Sequence, residues 1–162
     1  MKKLKIYLDT SAIGYLDEQT SPKEMAEMQS LWELIKQDKF ETLLSNVTLD
    51  EIRGNENIEK VKVLVRFLSE ISYSSINVND DIRRIAASIK SNGLLTSDKH
   101  QNDRLHIACA VHHECDVIVS MNFKHLVNVN TIRGVRAISI LECNRNIDIM
   151  SPISLIYREG DD

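Results

Sequence analysis

The sequence predicts an α/β domain, a three-layer α/β/α sandwich around a mostly parallel central sheet. Two buried strand-like runs carry much of that prediction. Lys5-Ile6-Tyr7-Leu8 is apolar and β-rich and stops at Asp9-Thr10-Ser11, and Asp116-Val117-Ile118-Val119-Ser120-Met121 repeats the form and stops at Asn122. Runs that are apolar on successive residues suit strands buried on both faces, as in parallel sheets covered by helices. Stretches with helical spacing lie between the strand signals, which is the pattern of βαβ units. With five glycines, two prolines and no repeat or linker, residues 1–162 read as one domain.

After the first strand, Ser21-Pro22 marks a helix start, since proline is tolerated in the first turn. Met25, Met28, Leu31, Trp32 and Ile35 then form one apolar stripe, expected to pack in the core. Phe40 to Ser45 is a short β-type run, and Asn46 to Arg53 opens the next helix. Ile58, Val61, Leu64, Val65, Leu68 and Ile71 mark another helix, closed by Ser72 to Ser75. Ile76-Asn77-Val78 reads as a brief strand. Asn79 or Asp80 caps a helix bearing Ile82, Ile85, Ala86 and Ile89, which ends at Ser91-Asn92-Gly93. Thr96 to Asn102 is polar and reads as a loop, followed by a helix from about Asp103 to Glu114. Beyond Asn122, Ala137 to Leu141 and Ile147 to Ile149 look β-like, and Ser151-Pro152 leads into a charged end.

The apolar fraction of 43% and charged fraction of 27% are those of an ordinary soluble protein. No run has the length of a membrane span, and Met1-Lys2-Lys3 followed by a strand lacks a signal peptide's apolar region, so a cytoplasmic protein with no membrane partner is expected. Cys109, Cys115 and Cys143 are read as reduced thiols. A net charge of −4 speaks against a tight non-specific nucleic-acid binder, but less against a metal-dependent nuclease, whose carboxylates lower its own charge.

Chemistry in open α/β sheets gathers beyond the carboxyl ends of the strands. Asp9 and Asn122 end the two buried strands, Glu51 lies early in the helix after Phe40 to Ser45, and Asp103 opens the helix before Asp116. If the two strands are neighbours, Asp9 and Asn122 emerge side by side and the two helical acids lean over the same edge. Three carboxylates and an amide oxygen there would suit magnesium or manganese. Each residue also has a plain role open to it. Thr48-Leu49-Asp50-Glu51 matches a capping box, Asn102-Asp103 an N-cap, and Asn122-Phe123 a turn.

Leu8-Asp9-Thr10-Ser11, Ser45 to Glu51, Asp103-x-x-His106-x-Ala108 and Val117 to Asn122 resemble, in order and spacing, the PIN-domain ribonucleases, most closely the VapC-type toxins of toxin–antitoxin pairs. The resemblance extends to the late Ile-x-x-x-Ser-Pro segment, where the family tends to have Thr-Pro. It implies that Asp9, Glu51 and Asp103 hold magnesium (or manganese), directly or through water. Ser11, with Thr10 beside it, supports the first acid. Asn122 falls where many members carry a fourth aspartate, and stands as a neutral ligand or water-positioner. The implied reaction is hydrolysis of RNA phosphodiester bonds, leaving a 5′-phosphate and a 3′-hydroxyl. Arg104, Lys124 and His125 lie near the acids in sequence and are candidates for substrate phosphates, with solvated surface charge the plain alternative. His106 is read as a buried, hydrogen-bonded residue that shapes the site. A small antitoxin partner and a homodimer are also implied, with the helices of Met25 to Ile35 and Ile58 to Ile71 as docking faces.

Three rival readings stand beside this one. Cys109, His112 and His113 share a helix face but Cys115 does not, so a closed zinc site lacks a ligand. Aspartyl-phosphate phosphatases place a second acid two residues after the first, where this chain has Ser11. A PIN-like module that binds RNA or a partner protein without cleavage is the alternative of a different class.

Overall fold

The computed structural model describes residues 2–160. Five strands, β1 (Leu4–Leu8), β2 (Phe40–Ser45), β3 (Ser74–Ile76), β4 (Val117–Val119) and β5 (Asp148–Met150), form one sheet in the order β3-β2-β1-β4-β5. Every neighbouring pair is parallel. Among the described residues the helices are α1 (Thr10–Gly14), α2 (Pro22–Lys36), α3 (Asn46–Arg53), α4 (Ile58–Leu68), α5 (Asp80–Ser91), α6 (Gln101–His112), α7 (Val129–Cys143) and α8 (Pro152–Gly160).

Pleating divides the strands between two cores, because successive residues point to opposite faces. Ile6 and Leu8 of β1 pack with Leu16, Trp32, Leu64 and Leu155, the side of α2, α4 and α8. Tyr7 points the other way, among Ile82, Ile107 and Val135 of α5, α6 and α7. β4 alternates likewise, with Val117 and Val119 on the first side and Ile118 on the second. The result is the three-layer sandwich the sequence predicts. Trp32 is buried with its ring edge-on to Phe67, as the core reading of its stripe requires.

The strand order locates the functional edge. From β1 the chain steps outward to β2 and β3, then returns across the sheet to place β4 on the other side of β1. The direction of winding therefore reverses between β1 and β4. At such a switch point the loops leaving the strand ends diverge and open a crevice. Asp9 stands at the carboxyl end of β1, directly on it.

Several elements depart from the sequence reading. Ala137 to Leu141 is not a strand but part of α7. Its buried positions, Thr131, Val135, Ile138 and Ser139, have helical spacing, and Asn128 caps it by accepting from the Thr131 N–H. Packing against the sheet overrides the β propensity of Ile138 and Ile140. β3 sits at Ser74–Ile76, two residues before the expected strand. The expected loop contains a 3-10 turn at Asp98–His100, and α6 begins at Gln101 rather than Asp103. α1 and α8 had no expected counterpart. No helix among the described residues is long and apolar enough to cross a membrane.

Candidate active site

Asp9 is held by hydroxyls. The register Leu8↔Val119 sets the residue after Val119 beside the residue after Leu8, so Ser120, not Asn122, faces Asp9. The Ser120 hydroxyl donates to Asp9 Oδ2 at 2.6 Å. Asp9 Oδ1 accepts from the Ser11 hydroxyl at 2.7 Å and from the Ala12 N–H at 2.9 Å, which makes Asp9 the N-cap of α1. Ser11 Oγ in turn accepts from the Met121 N–H, tying α1 to the end of β4. The carboxylate is 3% exposed. Burial raises its pKa above the ordinary aspartate value, against the lowering influence of His106, Ser120, Ala12 and Ser11.

Glu51 is held by an imidazole. Ser45 is the N-cap of α3 and accepts from Thr48, so Glu51 has no capping duty and projects from the second turn. Its Oε1 accepts from the Thr10 hydroxyl at 2.8 Å and lies 2.7 Å from His106 Nε2. The other ring nitrogen of His106, Nδ1, lies 2.6 Å from the Tyr7 hydroxyl, and the ring is buried. Burial pushes the Glu51 pKa up, but the bonds and charge of His106 and the Thr10 hydroxyl outweigh it. The carboxyl is held below its ordinary value.

Asp103 precedes His106 by three residues on α6 and so lies on the same helix face. It is not an N-cap, because the helix starts two residues earlier. Its Oδ2 lies 3.1 Å from His100 Nδ1, and the His100 ring rests against that of His125, with centroids 4.2 Å apart. Asn122 holds the turn after β4, where its side-chain oxygen accepts from the His125 N–H at 3.0 Å.

Neither a family model nor a curated protein matches the sequence. Solved structures do match the fold. The chain is similar to one in the DNA-bound VapBC of Salmonella typhimurium, with TM-score 0.57, 18% identity and coverage of 92% of this chain and 98% of that one. A chain of VapBC2 from Rickettsia felis, bound to a promoter DNA fragment, matches with TM-score 0.57 and 14% identity over 91% of this chain and 98% of that one. FitAcB from Neisseria gonorrhoeae matches with TM-score 0.55 and 19% identity over 91% and 97%. The chain shares the fold of these VapBC and FitAcB chains.

On this fold the candidate residues sort into three groups. Asp9 with Ser11, and Glu51 with Thr10 and His106, are drawn together through Thr10, which follows Asp9 and donates to Glu51. Asp103 lies one turn of α6 from His106 but is turned to His100, and Asn122 is set back from Asp9 by two residues. Arg104 departs from the expectation. It is buried, and its guanidinium donates to the carbonyls of Leu95 and Ser97, so it supports the loop before α6 instead of presenting charge to a phosphate. Lys124 is exposed on the Asn122 turn.

The donor set fits a hard cation in kind, being carboxylates with lone pairs to spare. It is not drawn into a cluster, for among the described residues no three His, Cys, Asp or Glu side chains stand at metal-holding spacing. Cys109 and Cys115 are buried and free.

Sequence reasoning missed Ser120 and Tyr7. Counting the register of the two buried runs from their ends would have aligned Ser120 with Asp9. A tyrosine hydroxyl inside a buried strand is itself a signal, because it must find a partner there.

Proposed function

We propose that this PIN-fold chain is a magnesium-dependent endoribonuclease that hydrolyses RNA phosphodiester bonds, acting as the toxin of a toxin–antitoxin pair. The observation that carries the reading is the pair Asp9 and Glu51, each held by its own hydrogen-bond network at the point where the sheet reverses its winding. Asp9, Glu51 and Asp103 are the residues that would hold magnesium or manganese. Such an ion supplies Lewis-acid polarisation of the scissile phosphate and charge neutralisation in the transition state.

The chain's own residues set the stage for that step. Ser11, Ser120 and the Ala12 N–H fix the orientation of the Asp9 carboxylate, so no reorganisation is needed when substrate arrives. Thr10 and His106 do the same for Glu51 and keep it ionised across the neutral range. Lys124 and His125, on the turn that Asn122 holds, are the proposed contacts to the RNA backbone. Asn122 thus serves the turn, and its amide oxygen is engaged by the His125 N–H. A small antitoxin is the proposed partner, since the structures matched are of VapBC and FitAB complexes. A homodimer is part of the same reading, as is a cytoplasmic location. A non-cleaving module that binds RNA or a partner is the second reading, favoured by Asp103 being engaged with His100.

The test is cleavage of a broad RNA panel by the intact chain with magnesium, with chelator, and as Asp9→Asn. Magnesium-dependent cleavage lost in the variant supports the nuclease. RNA binding without cleavage under any metal supports the second reading. Growth arrest on expression, relieved by Asp9→Asn or by a small co-expressed neighbour, tests the toxin assignment.

A further inference from the structure

Tyr7 has no role in the reading above, yet its hydroxyl is buried in the core with three polar neighbours. It lies 2.7 Å from Ser45 Oγ, 2.6 Å from His106 Nδ1 and 3.4 Å from Thr48 Oγ1. Tyr7, Ser45 and Thr48 are each 0% exposed. Burying a hydroxyl and an imidazole is costly unless every member of the set is satisfied. Its neighbours on β1, Ile6 and Leu8, are purely apolar, and phenylalanine at position 7 would fill the same space with no polar partners to find.

The bond directions follow from the chemistry of the groups. The Glu51 carboxylate only accepts, so His106 Nε2 carries the proton between them. Tyr7 holds the other nitrogen, Nδ1, which accepts from it on a neutral ring and donates to it on a charged one. The Tyr7 hydroxyl, able both to give its proton and to accept, completes its set at Ser45 Oγ, which also accepts from the Thr48 N–H. The chain of bonds leaves α3 at its N-cap, crosses β1 and α6, and returns to α3 six residues later at Glu51.

We propose that Tyr7 is a positioning residue for Glu51: its hydroxyl, oriented by Ser45, anchors the His106 ring at Nδ1 and thereby keeps Nε2–H on Glu51. The proposal rests on Glu51 belonging to the nuclease site. A ring held at both nitrogens cannot rotate about its own axis, so the carboxylate it holds is fixed to a buried scaffold instead of following the mobility of a half-exposed side chain.

The test reads the His106 ring directly, in the metal-free full chain. Ring-nitrogen chemical shifts report the state of each nitrogen, and the exchange of the Nε2 proton with water reports how firmly it is held. The variants are Tyr7→Phe, which removes one oxygen, and Ser45→Ala, which leaves Tyr7 in place. Tyr7→Phe is expected to shift the Nδ1 resonance and speed Nε2–H exchange, and to lower kcat by about 10- to 100-fold with KM for RNA unchanged. Ser45→Ala is expected to do the same in smaller degree. A folded Tyr7→Phe protein with wild-type ring shifts and exchange overturns the proposal. If Tyr7→Phe does not fold, unchanged ring shifts in Ser45→Ala overturn it instead. The ring response in a protein that cleaves no RNA would uphold the coupling of Tyr7 to Glu51 and bring down the nuclease reading alone.

Discussion

Asp9 and Glu51 stand at the same sheet edge and are held in opposite ways. Asp9 is sealed in, with hydroxyls and one backbone N–H as its donors, and burial drives its carboxyl upward. Glu51 is half-exposed, and an imidazole and a hydroxyl bring its carboxyl below the ordinary value despite the part-burial that opposes them. The difference teaches that position along the fold sets each acid's electrostatics more than residue type does. A strand end at a switch point is enclosed by the next strand and helix, while a helix turn reaches the edge from outside.

The largest contrast is expected in stability. Asp9→Ala strips the cap from α1 and leaves the Ser11 and Ser120 hydroxyls without their acceptor, for a cost of about 2–3 kcal/mol. Glu51→Ala removes a part-exposed side chain, so water can enter to meet the His106 Nε2–H it leaves, and is expected to cost about 1 kcal/mol or less. Denaturant unfolding of the two variants checks the ordering, and equal losses would break the comparison.

The cations of this edge divide in the same way. Arg104→Met should destabilise by about 1–3 kcal/mol, because the Leu95 and Ser97 carbonyls lose their donor. The slope of RNA affinity against salt should not change in that variant. Lys124→Ala should leave stability within about 0.5 kcal/mol and lower the salt slope by about 1. Unfolding curves paired with RNA titrations at several salt concentrations separate the two.

The smallest effect is the sharpest in sign. A carboxyl whose folded pKa is lowered, as for Glu51, contributes stability above the unfolded pKa and loses it as pH falls through the folded value. A raised carboxyl, as for Asp9, does the reverse, since the folded state binds the proton more tightly and is relieved by acid. Glu51→Gln should therefore lose more stability, relative to wild type, at neutral pH than at about pH 4. Asp9→Asn should compare better with wild type at neutral pH than in acid. Unfolding in chelator at both pH values decides it.

Much of the edge was legible in the sequence, because two apolar runs ending in polar residues report buried parallel strands directly. The first acid and the helix carrying Glu51 follow from that. The rest depended on register and on three-dimensional packing. Ser120 was hidden by the assumption that the residue farthest along the strand signal faces Asp9, when β4 ends at Val119. Arg104 reads from the sequence as a candidate phosphate contact or a surface charge beside Asp103, but it points into the loop that precedes its own helix. α7 was misread because β-branched residues at Ile138 and Ile140 mask a helical spacing that begins at Thr131. His106 is legible as a shaping residue from its place in the helix, while Tyr7 is legible only as a buried hydroxyl in need of a partner, not as the partner of His106.

A crystal structure grown with manganese tests most directly whether these acids form one site. The expected result is metal at the carboxyl edge of β1, contacting Asp9 and Asp103, with Asp103 released from His100 and Glu51 reaching the ion directly or through water. Metal bound away from Asp9 and Asp103, or an edge that takes none at saturating concentration, would contradict the assignment.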